Sequence, residues 1–158
     1  MKASRPHMPG YGIQPASKGG LLPWSLVSEQ MAAARNYWVN SVRQDGRPHA
    51  APVWGLWHEE TFFFSSGGDS RKAKNLAINP AAVVHLESGD DVIVLEGEME
   101  IVSPEAEKKL LTTLDKLYKA KYGFPFLGLG NIYRFKLQQA FAWKEANFPQ
   151  SATRWQAE

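Results

Sequence analysis

The sequence predicts an α+β fold: an antiparallel β-barrel with about three helices inserted between its strands. Three observations carry that expectation. Short runs rich in aromatic and β-branched residues recur along the chain, several of them joined by hairpin-length turns. The longest run, residues 92–102, alternates: Glu96, Glu98 and Glu100 face one way and Leu95, Gly97, Met99 and Ile101 the other. That is a strand with one face in water and one against a core, as antiparallel sheets permit. Finally, Ser103-Pro104-Glu105 combines a capping hydroxyl, a first-turn proline and an early acid, a strong helix start.

The bulk figures exclude several classes. At 158 residues the chain reads as one domain with room for a core. An apolar fraction of 44% and a charged fraction of 22% are those of a water-soluble globular protein. A net charge of +2 argues against a nucleic-acid coat, and the absence of cysteine removes disulfides and thiolate chemistry. No apolar run reaches membrane-spanning length and no signal-like apolar core opens the chain, so the expectation is a cytoplasmic protein with no membrane partner.

Residues 1–20 are rich in proline and glycine and read as a flexible arm, or one ordered by packing on a partner subunit; residues 21–158 form the domain. A helix begins with Ser25 as its cap and ends near Arg35. Residues 37–42 read as a strand, and Asp45-Gly46 turns it into a hairpin. The return strand, residues 49–57, contains Pro52 and Gly55, both awkward in a regular ladder, so a bulge or unpaired backbone is expected there. Such backbone groups can read the polar edge of a ring. Further strands are expected at 61–64 and 81–87, a helix to about Lys119, a glycine-punctuated aromatic loop at 122–130, and two strands at 131–136 and 140–143.

The chemistry concentrates in Ser65-Ser66-Gly67-Gly68-Asp69-Ser70-Arg71-Lys72, which follows the aromatic strand and opens a short helix ended by Asn79-Pro80. Strand, glycine turn, then a helix start with hydroxyls and two cations make an anion site. Free N–H groups and the positive end of the helix dipole converge there. Arg71 adds a forked donor and Lys72 a point charge, which suits a phosphate. Neither the P-loop nor the dinucleotide fingerprint is present. The competing reading is an ordinary loop followed by a solvated helix face.

Taken together, Asp45-Gly46-Arg47-Pro48-His49, Pro52-Val53-Trp54-Gly55, Phe64-Ser65-Ser66, Ser70-Arg71-Lys72, Asn75-Leu76 and Asn79-Pro80 resemble the pyridoxamine 5′-phosphate oxidase-like proteins. Residues 85–91 and Ala152-Thr153-Arg154-Trp155 extend the likeness to nearly the whole chain. The resemblance implies a split β-barrel that binds FMN or, in one branch, the deazaflavin coenzyme F-420. It also implies a homodimer with the cofactor in a groove between subunits. Position by position, Ser70, Arg71 and Lys72 hold the phosphate, and Asn75 belongs to the same motif. Ser65 and Ser66 touch the ribityl chain or ring, and Pro52, Val53 and Trp54 lie along the isoalloxazine. Trp143 and Arg154 are candidates for the partner's contribution. The true oxidase's Arg-x-Val-Leu-Leu-Lys segment and its Arg-Leu-His-Asp-Arg motif are missing, which argues against vitamin B6 synthesis.

The implied function is an FMN-dependent oxidoreductase acting on a small molecule, with a deazaflavin-dependent reductase as the alternative. A non-catalytic flavin, deazaflavin or haem carrier, and a barrel with a vestigial pocket, are the other classes. Because the ring performs the reaction, no side chain is required as nucleophile or base. His49 and His85 lie on expected strands beside the groove, where a structural or interface role competes with cofactor contact. No pair of histidines has the spacing of a helical metal site, so no metal is expected.

Overall fold

A computed structural model describes residues 1–157. The chain builds β1 (Lys2–Ser4), α1 (Trp24–Ala33), β2 (Tyr37–Val42), β3 (Pro48–Val53), β4 (Gly55–His58), β5 (Thr61–Ser66), α2 (Arg71–Ile78) and β6 (Ala81–His85). It continues with β7 (Asp91–Ile101), α3 (Lys108–Tyr122), β8 (Asn131–Lys144), α4 (Phe148–Ser151) and β9 (Thr153–Gln156). Every strand pairing is antiparallel. The α+β split barrel is therefore the fold, with four α-helices among the described residues, the fourth a single turn before β9.

β8 organises the sheet. Along one side it pairs with β7; along the other it pairs first with β5 and then with β9. The sheet path runs β1-β9-β8-β7-β6-β2-β3, leaving β3 at one edge. Asp45-Gly46 closes the β2–β3 hairpin, with Gly46 at φ 84°, a conformation that glycine adopts without steric cost. The alternation in β7 buries Ile93, Leu95 and Met99, but Ile101 at its end stays 55% exposed.

Aromatic β5 sits between two apolar clusters. Phe62 and Phe64 face a core with Val27, Met31, Tyr37, Val84, Leu95 and Trp155. Phe63 points the other way, to Leu56, Val102, Leu114, Tyr118 and Phe126 beneath α3. Each such side chain contributes about 1.5–3 kcal/mol by leaving water.

Several expectations are corrected. The two strands expected at 131–136 and 140–143 are one, because β7 templates β8 throughout, and the extra residue Gln138 of β8 is accommodated as a bulge opposite the Glu96–Gly97 step. Gly97 is obligatory there: a Cβ would lie 2.0 Å from the Lys136 carbonyl oxygen. The first helix is capped at Pro23, not Ser25. Ser103 accepts from the Ala106 N–H at 3.3 Å and its own N–H donates to Glu107 at 3.3 Å, yet the regular helix starts only at Lys108 and continues to Tyr122. Within residues 1–20 the structure also shows contacts to the rest of the chain. β1 lies on β9, and the Arg5 guanidinium donates to the carbonyls of Gln150, Ala152 and Gly19. Among the described residues no helix is long and apolar enough to cross a membrane.

Candidate functional site

The turn after β5 has the expected construction. Ser70 adopts extended backbone angles, and its hydroxyl accepts from the Ala73 N–H at 3.2 Å, capping α2. The Ser66 and Ser70 hydroxyls share a hydrogen bond of 2.7 Å. Ser70 leaves the Arg71 and Lys72 N–H groups without an acceptor among the described residues. Their side chains are also without a carboxylate partner among those residues; the nearby acid, Asp69, lies 4.0 Å from Lys74 instead. Gly130 holds the end of β5 from the far side. A Cβ there would meet the Ser66 carbonyl oxygen at 2.3 Å, so only glycine lets that loop approach.

Strand β3 flanks this turn. His49, opposite Ser41 in the ladder, has its Nδ1 buried with no hydrogen-bond partner. Burial depresses its pKa, and Arg43, Lys72 and Arg71 depress it further. Cations from the hairpin and from α2 therefore act on one point. Ser65 likewise carries a buried hydroxyl without a partner. Buried polar atoms are costly when left without a partner. Asn75 is turned inward instead: it is 2% exposed and donates to the Ser41 hydroxyl at 3.0 Å, bracing α2 on β2.

Further along β3, exposed Pro52 lacks an N–H on the sheet edge and half-buried Val53 packs on the core. The ladder breaks at Trp54, as the proline and glycine suggested, but the backbone there is not free. Gly55 donates to the Tyr122 hydroxyl at 3.1 Å, and its carbonyl accepts from Lys121 Nζ at 3.1 Å. The Trp54 ring is stacked on Tyr122 with centroids 4.7 Å apart, and the Arg35 guanidinium lies 5.2 Å from its centre. Burial and the charge of Arg35 bring the Lys121 pKa down to about 8. Arg35, Lys121 and Tyr122 carry no local sequence signal linking them to Trp54.

Trp143 and Arg154 stand apart from this cluster. Trp143 pairs with Val92 near the far end of β8 and packs edge-on against Phe148, while Arg154 on β9 donates to the Ser4 hydroxyl at 3.3 Å. Since Ser66 pairs with Asn131 at the start of β8, roughly 35–40 Å of extended strand separates it from Trp143. One chain does not bring them together. His85 is stacked on Trp38 and its Nδ1 lies 2.7 Å from the Leu86 carbonyl. Among the described residues no group of acids and histidines is arranged to hold a metal ion.

The edge strand, the capped α2 and the two-sided use of β8 are those of a split β-barrel. The family profile described as pyridoxamine 5′-phosphate oxidase matches residues 27–144, and the chain belongs to that family. Among solved structures, the conserved protein Rv2991 of Mycobacterium tuberculosis superposes with a TM-score of 0.67 at 19% identity, covering 78% of this chain and 86% of its own. HutZ, the haem storage protein of Vibrio cholerae, gives 0.61 at 16%, covering 75% and 92%. An F420 reductase gives 0.55 at 18%, covering 72% and 94%. At these identities the likeness is one of fold. No curated protein matches the sequence.

Proposed function

We propose that the protein binds a phosphate-bearing flavin-type cofactor, with FMN the first reading and the deazaflavin coenzyme F-420 the second. It uses that cofactor as an oxidoreductase acting on a small molecule. One observation carries this: two free N–H groups, two unpaired cations and two hydroxyls converge at the start of α2, beside buried polar atoms of Ser65 and His49 that have no partner. A phosphate satisfies this donor set. Arg71 and Lys72 neutralise its charge, and Ser70 keeps the helix start in register. Pro52 and Val53 offer an edge without a competing proline donor, and Trp54, already stacked on Tyr122, borders the ring region as a fixed wall. Asn75 acts indirectly, by bracing α2. A bound flavin or deazaflavin supplies hydride transfer at its ring, and the chain's part is to bind and orient it.

The cluster is built by one chain, whereas Trp143 and Arg154 are remote from it. A homodimer that juxtaposes the two ends of β8 lets the partner subunit's Trp143 and Arg154 complete the groove. The fold is also that of a haem storage protein, which makes haem the competing ligand. The experiment is an absorption spectrum of the purified protein, then thermal shifts with FMN, riboflavin and coenzyme F-420. Stabilisation by FMN or F-420 that riboflavin does not reproduce is expected, since a ligand specific to the native state raises its melting temperature. No shift with either phosphate-bearing cofactor overturns the reading, and a haem spectrum replaces it.

A further inference from the structure

The cations around α2 outnumber what one phosphate requires. Between the β2–β3 turn and the first turn of α2 lies a cleft of about 350 Å³, lined by Arg43, Gln44, Asp45, Arg47 and Arg71. Arg47 is occupied: its Nε and Nη2 reach the Asp45 carboxylate at 2.9 and 2.8 Å. Those bonds, with a smaller contribution from the charge of Arg43, hold the Asp45 carboxyl below the usual carboxylate range, so its one negative charge faces three guanidinium groups. Arg43 and Arg71 have no acidic partner among the described residues. Two guanidinium groups on different elements thus face one polar cleft with surplus positive charge, next to Lys72 and His49. Like charges gathered this way oppose folding unless an anion joins them.

We propose that this cleft is a second anionic subsite, taking a charged group that continues past the phosphate held at α2, with Arg43 and Arg71 as its free cations. The inference rests on the phosphate reading and sharpens it: the preferred ligand carries further negative charge, as diphosphate or carboxylate, beyond its first phosphate. Arg71 stands at the junction, on the helix start and in the cleft wall, and Arg43 reaches the second group from the hairpin. The Asp45–Arg47 pair sets the outer boundary and limits the charge the cleft accepts.

Titration of the full chain with inorganic phosphate and with tripolyphosphate tests this. Tripolyphosphate is expected to bind about tenfold more tightly, the size of one added charge-assisted contact. Arg43→Gln should remove that margin while leaving phosphate affinity nearly unchanged. Asp45→Asn, which retains an Asn-Gly turn, frees Arg47 and should widen the margin. Equal affinity for the two anions in the parent protein, or an Arg43→Gln loss shared equally by both, overturns the subsite. Failure of phosphate to bind at all sinks the α2 reading, whereas a tripolyphosphate preference that Arg43→Gln abolishes still sustains the cleft. FAD and coenzyme F-420, each compared with FMN, then distinguish a diphosphate from a carboxylate as the second group.

Discussion

Two cation clusters in this molecule use the same side chains to opposite ends. On the β7–β8 seam, Arg134 bonds Glu100 at 2.9 Å and also pairs with Glu107 at the start of α3, while Lys136 bonds Glu100 at 2.5 Å. Each charge has its counterpart, and the Arg134 guanidinium also lies over the Phe63 ring. Around the start of α2, Arg71, Lys72 and Arg43 all act on His49, and none forms an ion pair with an acid among the described residues. The closed cluster joins α3 to the sheet. The open one leaves its cations without a carboxylate partner among the described residues, which is the basis of the proposed site. Pairing, not the number of cations, separates a structural cluster from a binding site.

The comparison breaks most visibly at Arg134. Arg134→Ala leaves Glu107 without its cation and Glu100 with Lys136 alone, and should cost about 2–3 kcal/mol of stability in chemical denaturation. Cofactor affinity in the surviving folded fraction should not move. The open cluster should behave in reverse: Arg71→Ala or Lys72→Ala weakens cofactor binding by about 1.5–3 kcal/mol with little loss of melting temperature. Binding as tight as the parent's in both variants would falsify the phosphate assignment. Ser70→Ala removes the α2 cap and the bond to Ser66, and should lower stability by about 1 kcal/mol while also weakening binding.

The smallest effect concerns pH. The folded pKa of His49 lies below its ordinary 6.5, so between the two values the unfolded chain binds more protons. Stability from this group is present above pH 6.5 and is lost as pH falls through 6.5 and on through the folded pKa. His49→Gln should flatten the acid side of a melting-temperature profile. If parent and variant lose stability in parallel below pH 6.5, the cations of α2 and the hairpin do not act on His49.

Local chemistry was legible where a few adjacent residues suffice. Asp45-Gly46 specifies its hairpin because the turn needs the conformational freedom of its glycine, and Ser70 specifies the start of α2 because one hydroxyl satisfies one orphan N–H. Leu137-Gln138-Gln139 reads as an interruption because its polar residues are spread over an exposed face and a bulge; only β7 lying opposite makes it strand. Trp54 shows the same limit within the site. Its aromatic character was evident, but its stacking on Tyr122 joins residues far apart in sequence.

By itself the sequence determined the fold class, the strand–turn–helix that gathers donors at α2, and the family motifs around it. These follow from alternation, turn residues and caps, which act over a few residues. Tertiary structure alone decided which cations are spent and which are free. Arg134 and Arg71 are the same residue type, neither has its partner written beside it, and the acids that neutralise Arg134 arrive 34 and 27 positions away along the chain. Charge balance acts through space, so only the folded molecule shows where it is left incomplete.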